Sequence, residues 1–151
     1  MLFRALVSFL ILPAVMAGLI PWLLLASNDW RIQSTGLGWP ILLFGIVIVM
    51  WCTYDFYVIG KGTLAPWDPP KNLVITGPYR FMRNPMYAGI LLWLVGWSLI
   101  SGAPLLAAYI VVLAIGFHLR VIFYEEPILS RKYGNRWTEY CCAVNRWLPK
   151  L

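Results

Sequence analysis

The stretch from Pro85 to Tyr124 constrains this chain more than any other, because it reads as an apolar helical hairpin with its ionisable chemistry gathered at the two ends. Entering it is Gly77-Pro78-Tyr79-Arg80-Phe81-Met82-Arg83-Asn84-Pro85-Met86-Tyr87. Leaving it is His118-Leu119-Arg120-Val121-Ile122-Phe123-Tyr124-Glu125-Glu126-Pro127. A segment that crosses a bilayer and returns must bring both ends to the same face. Arg80 and Arg83 are therefore expected beside Glu125 and Glu126.

Composition agrees with a bilayer as solvent. Of the 151 residues 61% are hydrophobic and 12% charged, whereas an average soluble domain is about 25% charged. At roughly 20 residues per crossing the length allows about four spans and two polar segments, with no room for a separate soluble catalytic domain. The expected fold is all-α, a polytopic membrane helix bundle forming one domain over 1–151. Spans fall at about 2–26, 40–59, 85–100 and 105–123, and residues 125–151 form a cytoplasmic, interfacial helical tail. The first apolar stretch reads as an uncleaved span rather than a signal peptide, being longer than a usual h-region. Ser101-Gly102-Ala103-Pro104 supplies the hairpin turn. Residues 60–84 are polar and Pro-rich, which excludes a regular helix through them. Ile128 to Tyr133 reads as a short helix stopped by Gly134.

Charge placement predicts orientation. Lys61, Lys71, Arg80 and Arg83 precede the hairpin, and Arg131, Lys132, Arg136, Arg146 and Lys150 follow it, whereas the first loop offers only Arg31 against Asp29. By the positive-inside rule these segments, both termini and any site they build are cytoplasmic, at an inner or plasma membrane. The net charge of +6 then reflects topology and anionic lipid headgroups, and no nucleic-acid motif spacing accompanies it. Cys52, Cys141 and Cys142 fit no zinc spacing and read as apolar filler, so no metal is expected.

Glu125 and Glu126 are the first candidate site. At the end of a span the helix dipole adds to their two formal charges, so the place demands a cation. Pro127 is expected to push residue 126 out of helical geometry, so that the pair straddles a break. Structural pairing with Arg80, Arg83 or Arg120 and ligand binding are both open at this point. His118, seven residues before Glu125, should share its face and look into the protein, either as a substrate-side group or bonded to a backbone carbonyl. Arg83-Asn84-Pro85-Met86-Tyr87 is the second candidate: proline at the first helical position leaves free amides beside Arg83 and Asn84, suited to a carboxylate or phosphate. Gly89, one turn in, permits close approach of a ligand or of another helix. An anion-binding helix start beside paired carboxylates matches a zwitterionic, cationic cofactor such as S-adenosylmethionine. No strand-to-helix glycine fingerprint exists, which excludes a Rossmann-type enzyme.

These residues, together with Tyr124-Glu125-Glu126, Lys132-Tyr133-Gly134, Trp137-Thr138-Glu139-Tyr140 and Asn145-Arg146-Trp147-Leu148-Pro149, resemble in order and spacing the isoprenylcysteine carboxyl methyltransferase and phospholipid methyltransferase superfamily. The resemblance covers roughly the C-terminal half. It implies an integral-membrane methyltransferase that holds S-adenosylmethionine with an Arg-His-Pro-x-Tyr-like motif, the paired glutamates and the tail, while a lipophilic acceptor arrives from the bilayer. On that basis Arg83, Asn84, Pro85, Tyr87, Gly89, Glu125 and Glu126 are expected to bind the cofactor, and the catalytic candidates are Arg146, closing the site or orienting the substrate, and His118 on the substrate side. Asn84 stands where the family usually has histidine; it can donate and accept but not titrate. The acceptor would be a lipid or small lipophilic molecule, either an isoprenylcysteine carboxylate or a phospholipid amine. Membrane sterol reductases also resemble this region, which leaves an NADPH-dependent reductase as the alternative and a non-catalytic membrane subunit as the third reading.

Overall fold

A computed structural model of the chain describes residues 10–26, 36–60 and 72–149, and every described regular element is helical. A π-helical stretch Leu10–Leu19 runs into α1 (Ile20–Ala26), followed by α2 (Gly38–Val58), a 3-10 turn (Gly77–Arg80), α3 (Pro85–Ser101), α4 (Pro104–Arg120), a π-turn (Val121–Glu125), α5 (Glu126–Tyr133) and α6 (Asn135–Ala143). Two of these are long and apolar enough to cross a membrane: α2, and the continuous helix Pro104–Tyr133. Ala14–Ala26 and α3 are shorter apolar helices.

The most extensive packing joins α2 to α3, and it depends on residues without side chains. A Cβ on Gly96 would lie 2.5 Å from the backbone nitrogen of Leu42, one on Gly45 would lie 2.7 Å from the Gly89 carbonyl, and one on Gly38 would lie 2.6 Å from Ile100. The backbones therefore meet at a distance that only glycine permits, as small residues do between membrane helices. These contacts also set an antiparallel register, with the start of α2 beside the end of α3. Gly102 then closes the hairpin in the left-handed conformation, φ 66°, its N–H bonding the Ser98 carbonyl. The N-terminal segment packs on this core through Ala17, and Tyr109 on α4 donates to the Met16 carbonyl at 3.1 Å.

One expectation is corrected where α4 ends. The helix does not break before Pro127: Glu126 is helical, at φ −60° and ψ −41°, and α5 continues from it. Pro127 lacks the N–H that Phe123 would receive, and its ring would crowd that carbonyl. The backbone answers by widening to a π-turn, in which the Glu126 N–H bonds Val121 five residues back. The second arm of the hairpin thus runs on to Tyr133.

Beyond Gly134 the chain reverses and α6 packs Trp137 and Tyr140, with Val144 just beyond, against Leu73, Leu129 and Tyr133. The tail is fastened to the segment before α3 by backbone as well as side chains. Tyr140 donates its hydroxyl to the Tyr79 carbonyl at 2.6 Å, and the Arg83 N–H donates to the Asn145 carbonyl at 2.9 Å. Burial holds the Tyr140 hydroxyl well above the ordinary tyrosine pKa, more than the nearby Arg83 lowers it, so this tie stays protonated through the physiological range.

Candidate functional site

Five charged side chains meet where α3 begins and α4 passes into α5. Glu126 accepts two parallel bonds from Arg146, Nε to Oε1 and Nη2 to Oε2, each 2.8 Å, and a third contact from Arg83 Nη1 at 3.1 Å. Glu125 Oε1 accepts from Arg120 Nε at 2.8 Å and from the Tyr87 hydroxyl. Consecutive helical positions aim the two carboxylates apart, Glu125 toward Tyr87 and Arg120 and Glu126 toward Arg83 and the tail. Glu126 raises the Arg146 guanidinium above its ordinary pKa, chiefly through these hydrogen bonds. Three arginines against two glutamates leave the cluster one positive charge in excess.

The local sequence explains each position. Pro85 is the first residue of α3, so the helix begins there with no donor lost. Asn84 precedes it but makes no capping bond to its own helix; its Nδ2 donates instead to the Arg146 carbonyl at 3.2 Å. Tyr87, just inside, stacks on Phe117 of α4 with ring centroids 4.3 Å apart, which fixes its hydroxyl toward Glu125. Arg83 is largely buried, lies over the Trp137 ring at 5.7 Å, and donates through Nη1 to Cys141 Sγ at 2.6 Å. Its Nε is buried with no hydrogen-bond partner. A guanidinium N–H left unpaired in this way is expensive unless an anion completes it.

Set against the sequence, Arg83, Asn84, Tyr87, Glu125, Glu126 and Arg146 come together, with Pro85 starting the helix among them. Gly89 does not join them. A Cβ there would meet Val49 at 2.9 Å and the Gly45 carbonyl at 3.1 Å, so it serves the contact with α2. His118 is also displaced from its expected face: it is exposed, and its Nδ1 accepts from the Trp147 indole at 3.1 Å. The π-turn between His118 and Glu125 adds residues to one helical turn and so spoils the seven-residue register. Arg80 is exposed and stands outside the cluster. Cys141, read as filler, is a member; burial pushes its thiol pKa up. Nothing in the sequence signalled it, because its contact with Arg83 spans 58 positions.

Fold and cluster describe an apolar helical protein whose polar site sits at one end of its helices. Residues 34–136 match the phospholipid methyltransferase family. The chain belongs to that family. It is similar to protein-S-isoprenylcysteine O-methyltransferase A of Arabidopsis thaliana, 36% identical over 83 residues, covering 55% of this chain and 42% of that protein. A probable protein-S-isoprenylcysteine O-methyltransferase of Oryza sativa subsp. indica is 32% identical over 83 residues, covering 55% of this chain and 44% of that protein. A Delta(14)-sterol reductase of Mus musculus is 34% identical over 93 residues, covering 60% of this chain and only 22% of that protein. The chain thus spans less than half the length of these relatives. Family membership and the two long apolar helices are consistent with a membrane protein.

Proposed function

We propose that this chain is a membrane methyltransferase that takes its methyl group from S-adenosylmethionine and delivers it to a lipophilic acceptor. The observation that carries this reading is the buried, unpartnered Nε of Arg83 at the start of α3, set against the adjacent carboxylates of Glu125 and Glu126. A zwitterionic ligand needs both halves. Arg83 and the first amides of α3 suit its carboxylate, while Glu125 and Glu126 suit its ammonium and sulfonium charges. When bound, such a donor supplies an electrophilic methyl group. Arg146 would cover the site by its grip on Glu126, and Tyr87 would orient Glu125. Apolar surroundings keep water from competing with the acceptor.

The wider topology belongs to the same reading. Four crossings would place both termini, the basic segments and this site on the cytoplasmic side of an inner or plasma membrane, with α5 and α6 along its surface. An acceptor of lipid character would then enter from the bilayer and the methyl donor from water. A reductase using NADPH fits less well: several phosphates would need basic contacts beyond the three arginines already facing glutamates. The reductase relative also shares a smaller part of its own length.

Calorimetric titration of detergent-purified protein with S-adenosylmethionine and, separately, with NADPH tests the reading. Saturable binding of the first alone is expected, and Glu125→Gln or Glu126→Gln should weaken it by about 1–3 kcal/mol. Binding of NADPH alone would establish the reductase alternative, and binding of neither would leave a non-catalytic subunit.

A further inference from the structure

Residues 145–147 form a strap that bridges three elements of the arginine-glutamate cluster. At its start the Arg83 N–H donates to the Asn145 carbonyl at 2.9 Å, and Asn84 Nδ2 donates to the Arg146 carbonyl at 3.2 Å. In its middle Arg146 grips Glu126 of α5. At its end the Trp147 indole N–H donates to Nδ1 of His118, in the last turn of α4, at 3.1 Å, with the ring centres 6.1 Å apart and the planes tilted by 33°. Trp147 also packs on the main core, so this contact joins the strap to α4 by apolar surface and by one polar bond. Among the side-chain ties of the strap, that bond alone is exposed.

The atoms in that bond fix a protonation state. An indole N–H can only donate, so Nδ1 must present a lone pair and the imidazole is neutral, with its proton on Nε2. In the protonated ring both nitrogens are donors, and the bond is lost. The charges nearby are already committed: Arg120, two positions on, is bound to Glu125, and Arg146, beside Trp147, is bound to Glu126. Tyr87, which titrates on α3, gives its hydroxyl to Glu125, Tyr124 lies beneath the Arg120 guanidinium, and the described N-terminal segment that packs on α4 carries no ionisable side chain. Imidazole is the side chain that changes charge near neutral pH, and the chain contains a single histidine.

Resting on the methyltransferase reading, we propose that His118 is a positioning residue that acts through Trp147. Neutral, it latches the strap and keeps Arg146 closed on Glu126 over the methyl donor. Protonated, it releases the strap at its exposed end, where the donor enters and its product leaves without breaking the less exposed ties. The sign follows from the bond: the latched state holds one proton fewer, so donor affinity is highest above the histidine's titration and falls as pH drops through it. By reciprocity, donor binding favours the neutral ring. Three other ties remain after release, so the site loosens and is not abolished; the loss is that of one neutral hydrogen bond, about three- to tenfold in affinity.

Three variants of the detergent-purified chain, freed of any histidine tag, test the latch. His118→Phe has no acceptor, Trp147→Phe has no donor, and His118→Asn offers Oδ1 near the place of Nδ1 but cannot be protonated. Calorimetry with S-adenosylmethionine at about pH 8 should give similar affinities for wild type and His118→Asn, and affinities about three- to tenfold weaker for the other two. At about pH 5.5 the wild type should fall to the level of the phenylalanine variants while His118→Asn stays above them by the same ratio, so that every other titrating group is factored out. Hydrogen exchange of the peptide covering residues 144–149, without donor, reads the strap itself and should rank the four proteins in the same order at each pH. A wild type that keeps a constant ratio to His118→Asn across the pH range, or a Trp147→Phe that exchanges and binds like wild type, overturns the latch; Trp147→Phe decides alone if His118→Phe fails to fold. Faster strap exchange with unchanged donor affinity removes the positioning role and spares the donor reading. The expected exchange pattern with no S-adenosylmethionine binding even in wild type removes the donor reading and the positioning role with it.

Discussion

Arg146 and Glu126 face each other as two planar forks, Nε on Oε1 and Nη2 on Oε2 at 2.8 Å each, and this pair ties the last described segment of the chain to the start of α5. Lysine keeps the charge but not the fork. Arg146→Lys should therefore weaken S-adenosylmethionine binding about tenfold, through a looser tail, and leave helix content unchanged. Calorimetry and circular dichroism on the same sample check this. Undiminished affinity would mean that the fork plays no part in the site.

Pro127 should matter although it touches no ligand. With Pro127→Ala an N–H becomes available to the Phe123 carbonyl, the π-turn can relax to an α-helix, and everything after it rotates by about 100° relative to α4. Glu125 and Glu126 would then turn away from Arg120, Arg83 and Arg146. The expected result is retained or increased helicity with donor affinity down about tenfold or more, for loss of charge-assisted bonds. Equal affinity in wild type and variant would show that the π-turn does not aim the carboxylates.

Gly96→Ala should separate α2 from α3. Its Cβ would lie 2.5 Å from the Leu42 backbone, which cannot yield without moving the helix, at a cost of about 1–3 kcal/mol. A Cβ on Gly116, by contrast, meets nothing within 4 Å, so Gly116→Ala should be neutral or stabilising by up to about 1 kcal/mol. Thermal unfolding of both variants in one detergent makes the comparison.

The two neighbouring thiols should alkylate at different rates. Thiolate is the reactive form, and burial raises the Cys141 pKa, so at pH 7 less Cys141 is thiolate than an ordinary cysteine would supply. Its rate should climb about tenfold per pH unit until that raised pKa is reached. Cys142 is exposed and should label first. Mass spectrometry of maleimide adducts between pH 7 and 9 resolves the order; faster labelling of Cys141 would contradict the burial that raises its pKa against the lowering effect of Arg83.

A single cysteine at Leu105, beside the hairpin turn, should label from the face opposite Cys142 in oriented membranes. Impermeant maleimide applied to each side of vesicles, on backgrounds carrying one cysteine at a time, reads this out. Labelling of both from one side would remove the crossing hairpin.

Much of the site was legible because an apolar helical hairpin leaves few choices. Two antiparallel helices joined by a tight turn bring their far ends together, so Arg83 beside Glu126 follows from apolar length and the turn at Gly102. The family pattern likewise drew Asn84, Tyr87 and Arg146 to the same place. Other features depended on geometry that no local pattern encodes. Pro127 signalled a break, yet a π-turn costs less than abandoning the helix, and that single widened turn moved His118 away from Glu125. Gly89 could equally have faced a ligand or a helix, and only the register against Val49 and Gly45 decided between them.

What the sequence determined by itself is therefore the apolar character, the helices and the chemical types at their ends, since apolar length and proline position act locally. What only the tertiary structure decided is which groups are partnered and which are not. Cys141 reaches Arg83 because α6 folds back, and Asp55 Oδ2 is buried without a hydrogen-bond partner where the Gly77 turn closes over it. Both follow from packing between segments distant in the chain, where burial turns an ordinary side chain into a costly or a useful one.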